Sequence, residues 1–134
     1  DTSKTWSHLW IVDDAWLKQR SLSLYEFLGA TDALVSDISS VVIDYLLLDR
    51  PVVHAFSDLD AYRSSRGFTV EPIESYFVGP VATNARELHA ALDAILSGQD
   101  PDADKRRGIM ERSHAHTDGG ATRRLLETIG LLDT

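Results

Sequence analysis

The sequence predicts an α/β domain, a parallel sheet with flanking helices, and three observations carry that expectation. Short apolar runs at Leu9-Trp10-Ile11-Val12, Ala33-Leu34-Val35 and Val52-Val53-His54-Ala55-Phe56 have strand length and are bounded by Asp, Ser or Pro. The segments between them carry helix signals rather than hairpin turns, which implies βα units with crossover connections. The 134 residues suffice for one domain with a real core, and 43% hydrophobic with 25% charged residues is an ordinary globular balance.

Leu9–Val12 is read as a strand that Asp13-Asp14 ends. Ser23-Leu24-Tyr25-Glu26 has the form of a capping box, in which the Ser hydroxyl accepts the amide three residues on and the Glu reaches back. Leu24, Phe27 and Leu28 share one face of the short helix that follows, and Gly29 is expected to close it in a left-handed conformation. The second strand, Ala33–Val35, runs through Ser36-Asp37-Ile38-Ser39-Ser40 into Val41–Leu48. That helix is apolar nearly all round and so is expected to be covered on most sides. Asp49-Arg50-Pro51 breaks it before the third strand, Val52–Phe56. From Ser57 to Pro80, Asp, Ser, Gly and Pro interrupt every period, and an irregular segment is expected. Pro80-Val81-Ala82 reads as a short edge strand. Asn84-Ala85-Arg86-Glu87 opens a helix whose stripe is Leu88, Leu92, Ile95 and Leu96 and whose stop is Gly98. Lys105–Arg112 and Ala121–Ile129 are two further helices, divided by Thr117-Asp118-Gly119-Gly120. No repeat or low-complexity segment interrupts the pattern, so residues 1–134 are read as a single domain.

Composition excludes several classes of function. With 13 Lys+Arg against 21 Asp+Glu the net charge is −8, which argues against a nucleic-acid binder or a surface held to anionic lipid by charge. The absence of cysteine removes disulfide scaffolds, thiolate metal sites and thiol nucleophiles. No apolar run approaches about 20 residues, the length of a membrane-spanning helix. The chain opens Asp1-Thr2-Ser3 without Met or a signal-peptide pattern, and it is read as a piece of something longer. Trp6, Trp10 and Trp16 crowd its first sixteen residues, either as core or as a face covered by other parts of that longer protein.

The sharpest local signal is Ser36-Asp37-Ile38-Ser39-Ser40, between a strand and a helix. In open α/β sheets ligands gather beyond the carboxyl ends of the strands, where helix amides point outward, and two serines add hydroxyls that suit a phosphate oxygen. The competing reading is that Asp37 or Ser39 simply caps the helix. Asp44 lies one turn after Ser40 on the same face, a carboxylate in an apolar helix that needs a partner. Arg63 and Arg66 either meet a polyanionic ligand, since a guanidinium matches phosphate geometry, or neutralise Asp58 and Asp60. A receiver-type acidic pocket fails on spacing, because only one short helix separates Asp14 from Asp37. Asp100, Asp102, Asp104 and Glu111 imitate a calcium loop, but Lys105 stands where the turn glycine belongs. His114, His116 and Asp118 cover too short a span for a metal site, and His54 reads as a packed or surface histidine.

Ser36-Asp37-Ile38-Ser39-Ser40-Val41-Val42-Ile43-Asp44-Tyr45, followed by Leu48-Asp49-Arg50-Pro51-Val52, resembles the signature of the CDP-glycerol glycerophosphotransferase family. Leu24–Leu28 before Asp32, Asp58–Tyr62 with Arg66-Gly67-Phe68, Gly79-Pro80, and Asp118-Gly119-Gly120-Ala121-Thr122-Arg123 follow in the family's order, so the resemblance covers nearly the whole chain. It implies a Rossmann-like parallel sheet with flanking helices, forming part of the C-terminal donor-binding domain of a GT-B transferase. It also implies transfer of glycerol phosphate, or a related polyol phosphate, from a CDP-polyol donor to a lipid-linked teichoic-acid-like or capsule polymer. No metal or other cofactor is implied. The paired serines are similar to those of GT-B sialyltransferases, which implies that Ser39, Ser40 and Asp37 form the donor-phosphate site, with Asp37 orienting the turn and Asp44 a candidate for the donor ribose.

Two departures from the family pattern shape the expectation. Ile38 replaces its usual aromatic, and its His-Pro motif and catalytic histidine are absent, since His8 is followed by Leu9. The catalytic base and the acceptor side are therefore expected outside these residues, and the chain alone is expected to be inactive. The implied location is cytoplasmic, with the complete protein peripheral at the inner face of the membrane and no direct membrane contact by this segment. Two alternatives stay open at this point: a GT-B sugar-nucleotide glycosyltransferase, and a non-catalytic interaction or receiver-like module.

Overall fold

Three parallel strands form the sheet, in the order β1 (Leu34–Ser36), β2 (Val52–Ala55), β3 (Val81–Ala82). Leu34 pairs with Val52 and Ser36 with His54 on one side of β2, and His54 pairs with Val81 on the other. As the middle strand of a parallel sheet, β2 buries both faces, and Val52, Val53 and His54 are all inaccessible. The predicted α/β class with a parallel sheet and flanking helices is the observed one. This computed structural model describes residues 8–132, so Asp1-Thr2-Ser3 and Trp6 lie outside the described residues. The backbone divides into two units between Thr31 and Asp32.

In the first unit, α1 (Asp14–Gln19) starts where the Asp13 carboxylate accepts the Trp16 amide at 2.8 Å. The next helix, α2 (Leu24–Leu28), opens on the expected capping box. Ser23 Oγ accepts the Glu26 amide, and the Glu26 carboxylate accepts the Ser23 amide at 2.7 Å. Those bonds hold the Glu26 carboxyl below the usual carboxylate range. Two expectations fail here. Leu9–Val12 forms no strand, and Trp10 is 77% exposed, because an apolar run becomes a strand only when a neighbouring strand satisfies its backbone. Gly29 takes an ordinary right-handed conformation (φ −59°), its amide reaching the Tyr25 carbonyl within the helical path. Trp16 packs edge-on against Phe27, with the Arg20 guanidinium 3.9 Å from its ring centroid.

In the second unit, α3 (Val41–Tyr45) passes into a 3-10 turn (Leu46–Leu48). Val42, Tyr45 and Leu46 enter the core with Val52, Val53, Val78 and Ile109, while Leu47 stays exposed. The stretch expected to be irregular contains α4 (Leu59–Ser65) and a second 3-10 turn (Ile73–Tyr76) before it reaches β3. Gly79, just before β3, has no room for a side chain: a Cβ there would sit 1.7 Å from the Val52 carbonyl oxygen. Helix α5 (Ala85–Leu96) is capped by Asn84 as expected, with Glu87 also accepting the Thr83 amide, and it ends at Gly98 in the left-handed region. It packs on β3 and β2. Helices α6 (Ala103–Ser113) and α7 (Ala121–Thr128) follow. Among the described residues no helix is long and apolar enough to cross a membrane.

Arg106 of α6 is 1% exposed and is the largest fully buried side chain among the described residues. Its guanidinium grips Asp100 with two bonds, of 3.0 and 2.7 Å, and reaches the Asp49 carboxylate and carbonyl at 3.1–3.3 Å. Asp49 is in the left-handed region (φ 48°), so the Asp49-Arg50-Pro51 break is a turn pinned from the far end of the chain. Asp100 and Asp104, read as mimics of a calcium loop, are instead spent on Arg106 and Arg107.

Candidate functional site

The segment 37–43, the end of β2 and the stretch from α4 to the second 3-10 turn enclose a cavity of about 460 Å³. That volume falls within the range of small-ligand sites. Asp37, Ser39 and Ser40 contribute its exposed polar rim; His54 and Phe56 contribute buried wall, and Tyr62, Phe68 and Phe77 add further rings. The cavity lies beyond the carboxyl ends of β1 and β2, where open parallel sheets place their ligands.

At the rim, Ser39 Oγ accepts the Val41 amide at a long 3.4 Å. This leaves its O–H free to donate. The Ser40 hydroxyl makes no cap bond, and neither it nor the Asp37 carboxylate has a side-chain partner among the described residues. The amides of Val42 and Ile43 are already taken by the carbonyls of Ser39 and Ser40. The helix amides expected to face a phosphate are therefore largely occupied, and a five-residue helix contributes little dipole. What the turn offers a ligand is the pair of serine hydroxyls. Among the described residues, Asp37 makes no side-chain bond that orients the turn.

The other candidate residues separate. Asp44 is half-buried, has an interaction of its own and does not line the cavity. Arg63 is consumed within the chain: its guanidinium lies 2.6 Å from Glu74 and 3.3 Å from Glu71, with Asp60 at 3.5 Å. Arg66 has no carboxylate partner among the described residues and lies 5.9 Å from the centroid of the Tyr62 ring. It adjoins Gly67 and Phe68, which line the cavity. His114, expected to be a weak metal ligand at most, has its Nε2 2.8 Å from the Ile43 carbonyl and so braces α3.

His54, read from the sequence as a packed or surface histidine, is packed and also lines the cavity. It is 4% exposed, and the Val78 amide donates to its Nε2 at 3.1 Å. Burial pushes the imidazole down to about 4, with nearby Lys105 adding to the effect and Asp102 opposing it. The ring is therefore neutral at pH 7. Phe77 packs 4.9 Å from its centroid and Phe56 6.3 Å. The one signal in the sequence was a polar residue inside an otherwise apolar strand.

Residues 12–131 match the family described as CDP-Glycerol:Poly(glycerophosphate) glycerophosphotransferase. Among curated proteins, the chain is 30% identical over 109 residues to a teichoic acid ribitol-phosphate primase of Bacillus spizizenii, covering 81% of this chain and 27% of that protein. A teichoic acid glycerol-phosphate transferase of Staphylococcus aureus is 33% identical over 100 residues, 74% of this chain and 25% of that protein. The glycerol-phosphate primase of Bacillus spizizenii is 43% identical over 56 residues, 41% of this chain and 15% of that protein. The chain thus spans about a quarter or less of the length of these relatives. The family match runs through the serine rim, β2, the cavity wall and α7, and by it the chain belongs to the CDP-glycerol:poly(glycerophosphate) glycerophosphotransferase family.

Proposed function

We propose that this chain is the donor-binding part of an enzyme that moves glycerol phosphate or ribitol phosphate from a CDP-activated donor to a teichoic-acid-like polymer. The observation that carries the reading is the cavity at the carboxyl end of the sheet, rimmed by two available serine hydroxyls on the family's paired-serine segment. Relatives whose names specify ribitol-phosphate and glycerol-phosphate transfer support the polyol class. In the complete protein this part belongs to the Rossmann-like C-terminal half of a GT-B transferase working at the inner membrane face.

In this reading Ser39 and Ser40 donate their hydroxyl protons to donor phosphate oxygens, and Arg66 at the rim supplies the positive charge. Asp37, like-charged to phosphate, suits a hydroxyl of the ribose or polyol instead. A base outside this chain takes the proton of the acceptor hydroxyl, which attacks the β-phosphate; the phosphoanhydride bond breaks and CMP leaves. Hydroxyl donors aimed at the phosphates stabilise the charge that moves onto the leaving group. The chain by itself therefore binds donor without turning it over.

The test is CMP release from CDP-glycerol and CDP-ribitol by the complete protein, with and without Ser39→Ala and Ser40→Ala. Each substitution is expected to lower kcat/KM by about tenfold or more, the usual cost of losing one hydrogen bond to a charged group. Turnover of UDP-sugars in preference to both CDP-polyols would assign the site to sugar transfer instead.

A further inference from the structure

His54 lines the cavity and carries a ring donor that no described residue uses. A backbone N–H can only donate, so the Val78 bond makes Nε2 the bare nitrogen and puts the ring proton on Nδ1. Nδ1 has no partner among the described residues, yet no buried side-chain polar atom there lacks one. Nδ1 therefore keeps some accessible surface, and His54 lines the cavity. The donor sits among Phe56 and Phe77, whose rings lie 5.4 Å apart, close to the stacked pair Tyr62–Phe68 that also lines the cavity.

This wall suits one part of a nucleotide far better than the others. A polyol carries a hydroxyl on every carbon, and burying it against a wall with a single donor would leave several unsatisfied. A phosphate favours a cation, and this imidazole stays neutral down to about pH 4. A nucleobase has two apolar faces for aromatic rings and carbonyl and ring-nitrogen acceptors on its edge. We infer that His54 is the base-reading residue of the donor site, its Nδ1–H donating to an acceptor on the edge of the pyrimidine while the packed Phe56 and Phe77 rings form an apolar wall beside it. This inference rests on the nucleotide-donor reading above.

The experiment titrates the 134-residue chain with CMP and, separately, with ribose 5-phosphate. His54→Gln places a carboxamide oxygen near the Nε2 position, keeps an acceptor for the Val78 amide, and leaves nothing at Nδ1; His54→Asn keeps an N–H near Nδ1. The expected result is a loss of about tenfold in CMP affinity for H54Q, one hydrogen bond's worth, with H54N much less affected and ribose 5-phosphate unchanged by either. In the unaltered chain the His54 Nδ1 proton signal should move on addition of CMP and not of ribose 5-phosphate. Wild-type CMP affinity in H54Q, or an equal loss for both ligands, would overturn the inference, as would an Nδ1 signal indifferent to CMP. Failure of the unaltered chain to bind CMP at all would overturn the donor reading itself, a separate outcome.

Discussion

Replacing Arg106 with Met removes the buried side chain that joins Asp49, in the turn after α3, to Asp100, before α6. Breaking a buried ion pair by deleting one partner costs about 3–5 kcal/mol, because the surviving charges lose their compensation. Here the survivors are not stranded: Asp49 keeps the Arg107 guanidinium at 3.2 Å, and neither carboxylate is fully enclosed. The side chains of Asp49 and Asp100 are 44% and 30% exposed, so water can take over part of their solvation. The expected loss therefore sits at the lower end, about 3 kcal/mol. Urea denaturation at pH 7 measures it. Arg106→Lys should recover little, since an ammonium cannot reproduce the two-pronged grip on Asp100. Arg106 also holds the Asp100 carboxyl below its usual range. Stability from Asp100 is thus present above the normal carboxylate pKa and lost as pH falls through the depressed one, and this acid-side loss should vanish in R106M. A loss below about 1 kcal/mol for R106M, or an unchanged acid limb, would refute the idea that this cluster fixes the turn.

His54 gives a stability signature in a different window. Its folded pKa, about 4, lies below the unfolded value of 6.5, so the unfolded state binds the extra proton between those values. Stability should be full above pH 6.5 and fall by about 2 kcal/mol by pH 5; a parallel pH profile in H54Q would contradict that. Gly79→Ala drives a Cβ into the Val52 carbonyl and should cost about 3 kcal/mol or more by thermal unfolding. Gly108→Ala, where nothing lies within 4 Å in the middle of α6, should instead stabilise by about 1 kcal/mol.

Local chemistry was the legible part of the sequence. The Ser23 and Asn84 caps, the Gly98 stop and the strands at Leu34, Val52 and Val81 are decided by residues close together in the chain, and they form where expected. Leu9–Val12 failed because strand formation depends on a partner that apolarity alone does not supply. Helix α4 was hidden by Asp58, Asp60, Ser64 and Ser65, which read as breakers; in the structure the two serine hydroxyls bond back to carbonyls one turn earlier. The burial of Arg106 could not be read from local pattern, because its partner Asp49 lies 57 residues away. The serine rim was visible as a motif, but the cavity behind it joins residues 37–43, 54–56 and 62–77, and no local pattern encodes that meeting. For the same reason Arg63, as plausible as Arg66 on the page, proved to be bound to Glu71 and Glu74.

The most direct measurement is a titration of the isotope-labelled chain with CDP-glycerol, following the backbone amide signals of Ser39 and Ser40. Saturable shifts are expected at these two residues and at cavity residues such as Phe77, matched by CMP and weakened when both serines are replaced by alanine. Shifts that spare Ser39 and Ser40, or that follow UDP-sugars and not cytidine nucleotides, would contradict the donor reading.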